Sequence, residues 1–143
     1  MTVFADSSAL VKLYADEAGY EPVRTIPHFV VSQLARVEVP AALWRKQRLG
    51  EIGPEDARVL TRDFEADYFG DDGEAPRFAV VAVRQDVLDD AARLCAVHGL
   101  RAYDGAQLAS ALAARATGEC ETFAAFDSQL RRAAGSEAFT LLF

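Results

Sequence analysis

The chain has 143 residues, of which 51% are hydrophobic and 26% charged, a composition typical of globular proteins rather than disordered ones. A chain of this length can bury roughly two-thirds of its unfolded surface, so we expect one domain that folds without disulfides or metal. Its formal net charge of −7 opposes the binding of a polyanion unless cations or a local basic patch intervene.

The sequence also argues against several kinds of site and location. Cys95 and Cys120 stand alone, and His28 and His98 are not spaced as zinc ligands, so we expect buried thiols. A P-loop and a G-x-S-x-G elbow are absent, which argues against common nucleotide-hydrolase and serine-hydrolase sites. No apolar run approaches the ~20 residues that span a bilayer, and the N-terminus lacks the basic segment of a secretory signal. We therefore expect a cytoplasmic protein without membrane contact.

Short apolar runs alternate with helical patterns along the chain. Ser32 is predicted to cap a helix that Pro40 should kink or break, and the apolar run at 78–83 fits either an edge strand or a loop. This alternation predicts an α/β fold, specifically a three-layer α/β/α sandwich around a mostly parallel sheet. The predicted strands are 2–5, 28–31, 78–83, 121–126 and 138–143, and the predicted helices are 7–15, 21–24, 33–49, one opening at 53–56, 85–97, one from 104 to near 118, and 128–134.

Four acidic residues, far apart in sequence, are the candidate functional residues. Asp6 and Asp127 each end an apolar strand, so both are expected at the edge of a parallel sheet where α/β proteins bind ligands. Asp104 opens the helix before the strand that ends near Asp127, and Glu38 lies in the helix after the second strand. Each has an ordinary structural alternative, because the three aspartates could cap helices and Glu38 could be a solvated or salt-bridged residue.

Brought together, these carboxylates would require a proton or a cation. At ~4 Å and an effective dielectric of ~20, each like-charged pair costs about 4 kcal/mol. Mg²⁺, or Mn²⁺ in its place, takes oxygen ligands and can activate water for phosphodiester hydrolysis. Asp6 and Asp104 are the expected direct ligands, whereas Glu38 and Asp127 would act through water, hold a second metal or orient the nucleophile. Ser8 is either a supporting hydrogen-bond donor or simply a first-turn helix residue.

Two groups of basic residues each have two possible roles. Those at 45–48 and 131–132 could bind RNA phosphates, which would position a substrate without reading its sequence. Alternatively, they are solvated or complement a helix C-terminus.

Four blocks of sequence resemble PIN-domain nucleases, and most closely the VapC-like toxins of type II toxin–antitoxin pairs. They are 3–12 (VFADSSALVK), 35–38 (ARVE), 100–111 (LRAYDGAQLASA) and 126–130 (FDSQL), and they occur in the expected order. The resemblance implies one nuclease domain over residues 1–143, a Mg²⁺-dependent endoribonuclease, a homodimer, and a cognate antitoxin that blocks the acidic site. It places the family's acidic positions on Asp6, Glu38, Asp104 and Asp127.

One departure from the family pattern concerns Ala125. Many relatives carry Thr or Ser two residues before the last acid, so a hydroxyl that would help position metal or water near Asp127 is absent. This favours an alternative function, a catalytically silent module that binds an antitoxin or RNA. A phosphoacceptor receiver domain is disfavoured, because no lysine follows Lys46 and Asp6 is followed by serines rather than acids.

Overall fold

The computed structural model describes residues 2–118 and 120–143 and is organised around a five-stranded sheet. The strands lie in the order β3-β2-β1-β4-β5, and every neighbouring pair is parallel. The predicted α/β class with a mostly parallel sheet is therefore confirmed. The strands are β1 (Val3–Ala5), β2 (Phe29–Ser32), β3 (Phe78–Val81), β4 (Thr122–Ala124) and β5 (Thr140–Leu142).

Two layers of helices cover the sheet, because successive strand residues point to opposite faces. Val3 and Ala5 pack against one layer, whereas Phe4, between them, packs against the other together with Phe123. The first four helices form the first layer and the last three form the second, which confirms the three-layer sandwich. The helices are α1 (Ser7–Val11), α2 (Tyr20–Arg24), α3 (Ala35–Arg48), α4 (Pro54–Phe69), α5 (Gln85–His98), α6 (Ala102–Ala116) and α7 (Ser128–Ser136).

The predicted start of α3, with Ser32 as its cap, was wrong. Ser32 is the last residue of β2, and its Oγ accepts a hydrogen bond from the backbone N of Leu34 at 3.2 Å, so it ends the strand instead of capping the helix. The helix begins only at Ala35 and continues without a break through Pro40. The uncertain run at 78–83 forms β3, an edge strand with exposed residues at its centre.

The strand order changes direction beside β1, which has β2 and β3 on one side and β4 and β5 on the other. In open parallel sheets, ligands bind in the crevice outside the carboxyl ends of the strands at such a switch point. The loops after β1 and β4 therefore border the expected binding crevice. Within the described ranges, no helix is both long and apolar enough to cross a membrane.

Candidate functional site

Asp6 lies directly after β1 and is almost fully buried. Its backbone N donates to the carbonyl of Ala124 at 3.1 Å, and its side chain is only 5% exposed. The Oδ1 atom accepts hydrogen bonds from Ser8 Oγ at 2.7 Å and from the backbone N of Ala9 at 3.0 Å. Asp6 is therefore the N-cap of α1, while its Oδ2 makes no hydrogen bond to any described residue.

Burial and neighbouring acids make Asp6 an unusual carboxyl group. Burial raises the pKa of Asp6 to about 7, the charges of Asp104 and Glu38 add to the increase, and the hydrogen bonds from Ser8 and Ala9 oppose it. Burial likewise raises the pKa of Glu38, and the charge of Asp104 adds to that increase. Asp6 and Glu38 are therefore each close enough to the charge of Asp104 to be affected by it.

Glu38, in the first turn of α3, is held by two residues that the sequence analysis did not single out. Ser7 Oγ donates to Glu38 Oε1 at 3.1 Å, and Gln107 Nε2 donates to the same oxygen at 2.7 Å. Gln107 Nε2 also donates to Ser7 Oγ at 3.1 Å. One available signal was that Gln107 lies three residues after Asp104, a spacing that puts both on one face of a helix.

Asp104 lies inside the first turn of α6 and is not its N-cap. Arg101 occupies the cap position without a side-chain cap, so the structural alternative considered for Asp104 is wrong. Asp104 Oδ2 instead accepts hydrogen bonds from Arg101 Nε at 3.2 Å and Nη2 at 3.1 Å. The following residue, Gly105, lets α6 approach α5 closely, because a β-carbon there would collide with Cys95 Sγ and lie 3.0 Å from the carbonyl of Ala91.

Asp127 caps α7 and stands apart from the other three acids. Its Oδ2 accepts a hydrogen bond from the backbone N of Leu130 at 2.9 Å, and it is partly exposed. It is not among the acids that raise the pKa of Asp6 or Glu38. Ser8 provides an indirect link, because its Oγ accepts from the backbone N of Phe126 at 3.3 Å. Ala125 is fully buried in the apolar core, so this departure from the family pattern contributes packing instead of a hydroxyl.

The site's donor atoms suit a hard divalent cation. Asp6, Glu38 and Asp104 offer only oxygen, the ligand type that Mg²⁺ prefers. Gln107 Oε1, in the same site, is one of two buried side-chain polar atoms without a partner among the described residues. Within 2–118 and 120–143, however, no three His, Cys, Asp or Glu side chains converge closely enough to hold a metal ion. The geometry therefore fits an ion bound by one or two carboxylates and waters, not an all-protein cage.

The comparison with protein families decides the classification. The family model of the PIN domain matches residues 3–136. The chain belongs to the PIN domain family. The crystal structure of FitAcB from Neisseria gonorrhoeae has a similar fold, with a TM-score of 0.63 and 16% sequence identity over 100% of this chain and 97% of that one. No curated protein matches this chain by sequence.

Beside the acidic site of this PIN domain runs an open groove of about 520 Å³ between α3 and the start of α6. Glu38 and the 64%-exposed Tyr103 line it, together with Arg45 and Arg48. Neither guanidinium pairs with a described residue, whereas Lys46 between them forms ion pairs with Glu17 at 3.4 Å and Glu51 at 3.2 Å. The groove therefore presents two uncommitted positive charges next to the acids.

Proposed function

We propose that this PIN domain is a Mg²⁺-dependent endoribonuclease of the VapC-like toxin type. The observation that carries the proposal is the buried Asp6 at the switch point of the sheet, whose pKa rises to about 7 beside two further acids. A carboxylate in this environment is unfavourable in isolation and becomes favourable when a cation neutralises it. Perturbed carboxyl groups in a crevice are typical of functional sites.

The hydrogen bonds that each acid makes in the fold suggest its role. Asp6 would hold the ion through Oδ2 and Asp104 through an oxygen freed from Arg101. A bound Mg²⁺ would stabilise negative charge on a phosphodiester and lower the pKa of the attacking water. Glu38 Oε2, which makes no hydrogen bond to a described residue, would accept the proton that this water loses as the phosphorus–oxygen bond to the leaving group breaks. Asp127 would act through a water.

The groove beside Glu38 supports RNA as the substrate despite the net charge of −7. Arg45 and Arg48 can contact phosphates, and the exposed ring of Tyr103 offers a stacking surface for an unpaired base. The local positive charge thus opposes the field of the whole chain where a substrate would approach. By contrast, Arg131 Nη1 donates to the backbone carbonyls of Ala125 at 3.0 Å and Leu142 at 3.1 Å, so it is tied to the fold.

The direct test is RNA cleavage with and without divalent metal. We expect cleavage in Mg²⁺, loss of cleavage in EDTA, and recovery when Mg²⁺ is returned. Asp104→Asn should be inactive, whereas Asp90→Asn, which alters a surface acid paired with Arg93, should retain activity. Cleavage that continues unchanged in EDTA would rule out the proposal.

A catalytically silent binding module remains the second candidate, favoured by the lack of a preformed metal cluster among the described residues and by Ala125. Binding of an RNA oligonucleotide without cleavage at any Mg²⁺ concentration would favour it.

The leading proposal also includes a homodimer and a cognate antitoxin that covers the acidic site, both of which the VapC-like resemblance implies. It further includes one domain over residues 1–143 and a cytoplasmic location.

A further inference from the structure

Gln107, Ser7 and Glu38 form a closed triangle of hydrogen bonds that joins three helices. The amide of Gln107 uses one N–H on Glu38 Oε1 at 2.7 Å and the other on Ser7 Oγ at 3.1 Å. The hydroxyl of Ser7 donates in turn to Glu38 Oε1 at 3.1 Å. Every donor in the triangle is therefore used, and two of the three bonds end on the same carboxylate oxygen.

The surroundings of Gln107 make this arrangement rigid and costly. Gln107 is 2% exposed and lies in a stretch of α6 that is buried from Gly105 to Ala111. Burying a long polar side chain in an apolar setting costs desolvation of its amide, which a leucine or methionine would avoid. Its Oε1 is buried and left without a partner among the described residues, which adds a desolvation cost.

We propose that Gln107, with help from Ser7, is a positioning residue for the metal site, an inference that rests on the proposed nuclease function. The triangle commits Glu38 Oε1 to the protein and leaves Oε2 free, so Glu38 is oriented to use one oxygen. Outer-shell partners of this kind hold a ligating or water-binding carboxylate in one orientation.

Another buried polar contact on α6 supplies a matched control. Ser110 Oγ lies 3.1 Å from Ser32 Oγ and 2.8 Å from the carbonyl of Ala106, and it is fully buried. This contact also joins α6 to the end of a strand, but it involves no acid. Ser110→Ala therefore removes a structural hydrogen bond from the same helix without touching Glu38.

The test is Mn²⁺ affinity, measured from the electron paramagnetic resonance of free Mn²⁺ with the intact chain and no RNA. Gln107→Met preserves side-chain volume and should weaken Mn²⁺ binding about 10-fold. Ser7→Ala, which removes the other donor to Glu38, should weaken binding by a smaller factor, and Ser110→Ala should not change it. Circular dichroism and thermal unfolding check that each variant folds.

A double-mutant cycle separates positioning from a general structural effect. In a Glu38→Ala background, Gln107→Met should cause no further loss of Mn²⁺ affinity, because the residue it acts through is gone. Wild-type affinity in Gln107→Met, or an equal loss in both backgrounds, would overturn the inference while leaving the nuclease proposal intact. If Gln107→Met does not fold, the same cycle with Ser7→Ala decides. Failure of the wild type to bind Mn²⁺ would overturn both proposals.

Discussion

Asp6 and Asp127 occupy matching places in the fold but different environments. Each follows one of two adjacent parallel strands, and each caps the next helix by accepting a backbone hydrogen bond, at 3.0 Å from Ala9 and 2.9 Å from Leu130. Asp6 is 5% exposed and lies beside Glu38 and Asp104, whereas Asp127 is partly exposed and outside that group. Capping uses only one oxygen, so burial and like-charged neighbours decide what the second oxygen can do.

The comparison also shows that helix capping and metal binding are not competing explanations. A cap fixes the carboxylate through one oxygen and leaves the other pointing elsewhere, which is a useful arrangement for a monodentate ligand. For Asp6 the cap and Ser8 hold a group whose charge is otherwise destabilised by burial. Asn or Ser could cap the helix without a buried charge, so an acid at this position indicates a functional site.

The largest expected difference between the two acids is in catalysis. Asp6→Asn keeps the cap, because the amide oxygen still accepts hydrogen bonds, but removes the charge that we propose to hold Mg²⁺. We expect RNA cleavage to fall about 1000-fold, roughly 4 kcal/mol of transition-state stabilisation. Asp127→Asn should lower cleavage only about 10-fold, the effect expected of a partner that acts through water. Single-turnover cleavage at saturating Mg²⁺ measures both.

An equal loss of cleavage in the two variants would contradict this distinction, because it would mean that Asp127 binds the ion as directly as Asp6 does. The control is Ser128→Ala, which alters the exposed residue beside Asp127 and leaves the carboxylate in place. It should cleave RNA at the wild-type rate.

The strand-end positions could be predicted because the local sequence contains the signal. An apolar run that stops at an acid and continues as a helical pattern indicates both the strand and its cap. The structure has this arrangement at Asp6, whereas at Asp127 it has the helix cap but ends β4 at Ala124, two residues earlier than predicted. The prediction at Asp104 placed the start of the helix two residues too late. The helix begins at Ala102 without a capping side chain, so the aspartate expected to start it lies within its first turn.

The triangle around Glu38 could not be predicted because its contacts span the chain. Ser7 and Glu38 are 31 residues apart, Gln107 and Glu38 are 69 apart, and Gln107 and Ser7 are 100 apart. Local patterns carry no information about which of these polar side chains will meet. The local pattern accordingly pointed to Ser8, whose hydroxyl contacts Asp6, and not to Ser7, whose hydroxyl contacts Glu38.

The next expected difference between Asp6 and Asp127 is in how they make the free energy of unfolding depend on pH when no metal is present. The pKa of Asp6 in the folded chain, about 7, exceeds its ordinary value of 3.8, so the folded state binds this proton more tightly than the unfolded state. The free energy of unfolding should therefore decrease by up to about 4 kcal/mol as pH rises from about 4 to about 7, and then level off.

Urea unfolding in EDTA should show Asp6→Asn gaining stability relative to wild type across this pH window, while Asp127→Asn follows wild type. Parallel profiles for Asp6→Asn and wild type would contradict the buried-charge interpretation.

The smallest expected effect concerns Asp104, the third acid in the comparison, whose Oδ2 is engaged by Arg101. Arg101 is 77% exposed, so this ion pair contributes at most about 1 kcal/mol. Under the proposed function, Arg101 would nevertheless compete with a cation for the Asp104 carboxylate. Arg101→Ala should therefore tighten Mn²⁺ binding by up to about 5-fold, measured without RNA so that lost phosphate contacts do not interfere. Arg93→Ala, which breaks a similarly spaced pair with Asp90 on α5, should leave the affinity unchanged. Weaker Mn²⁺ binding in Arg101→Ala would mean that the guanidinium orients Asp104 toward the ion instead of competing with it.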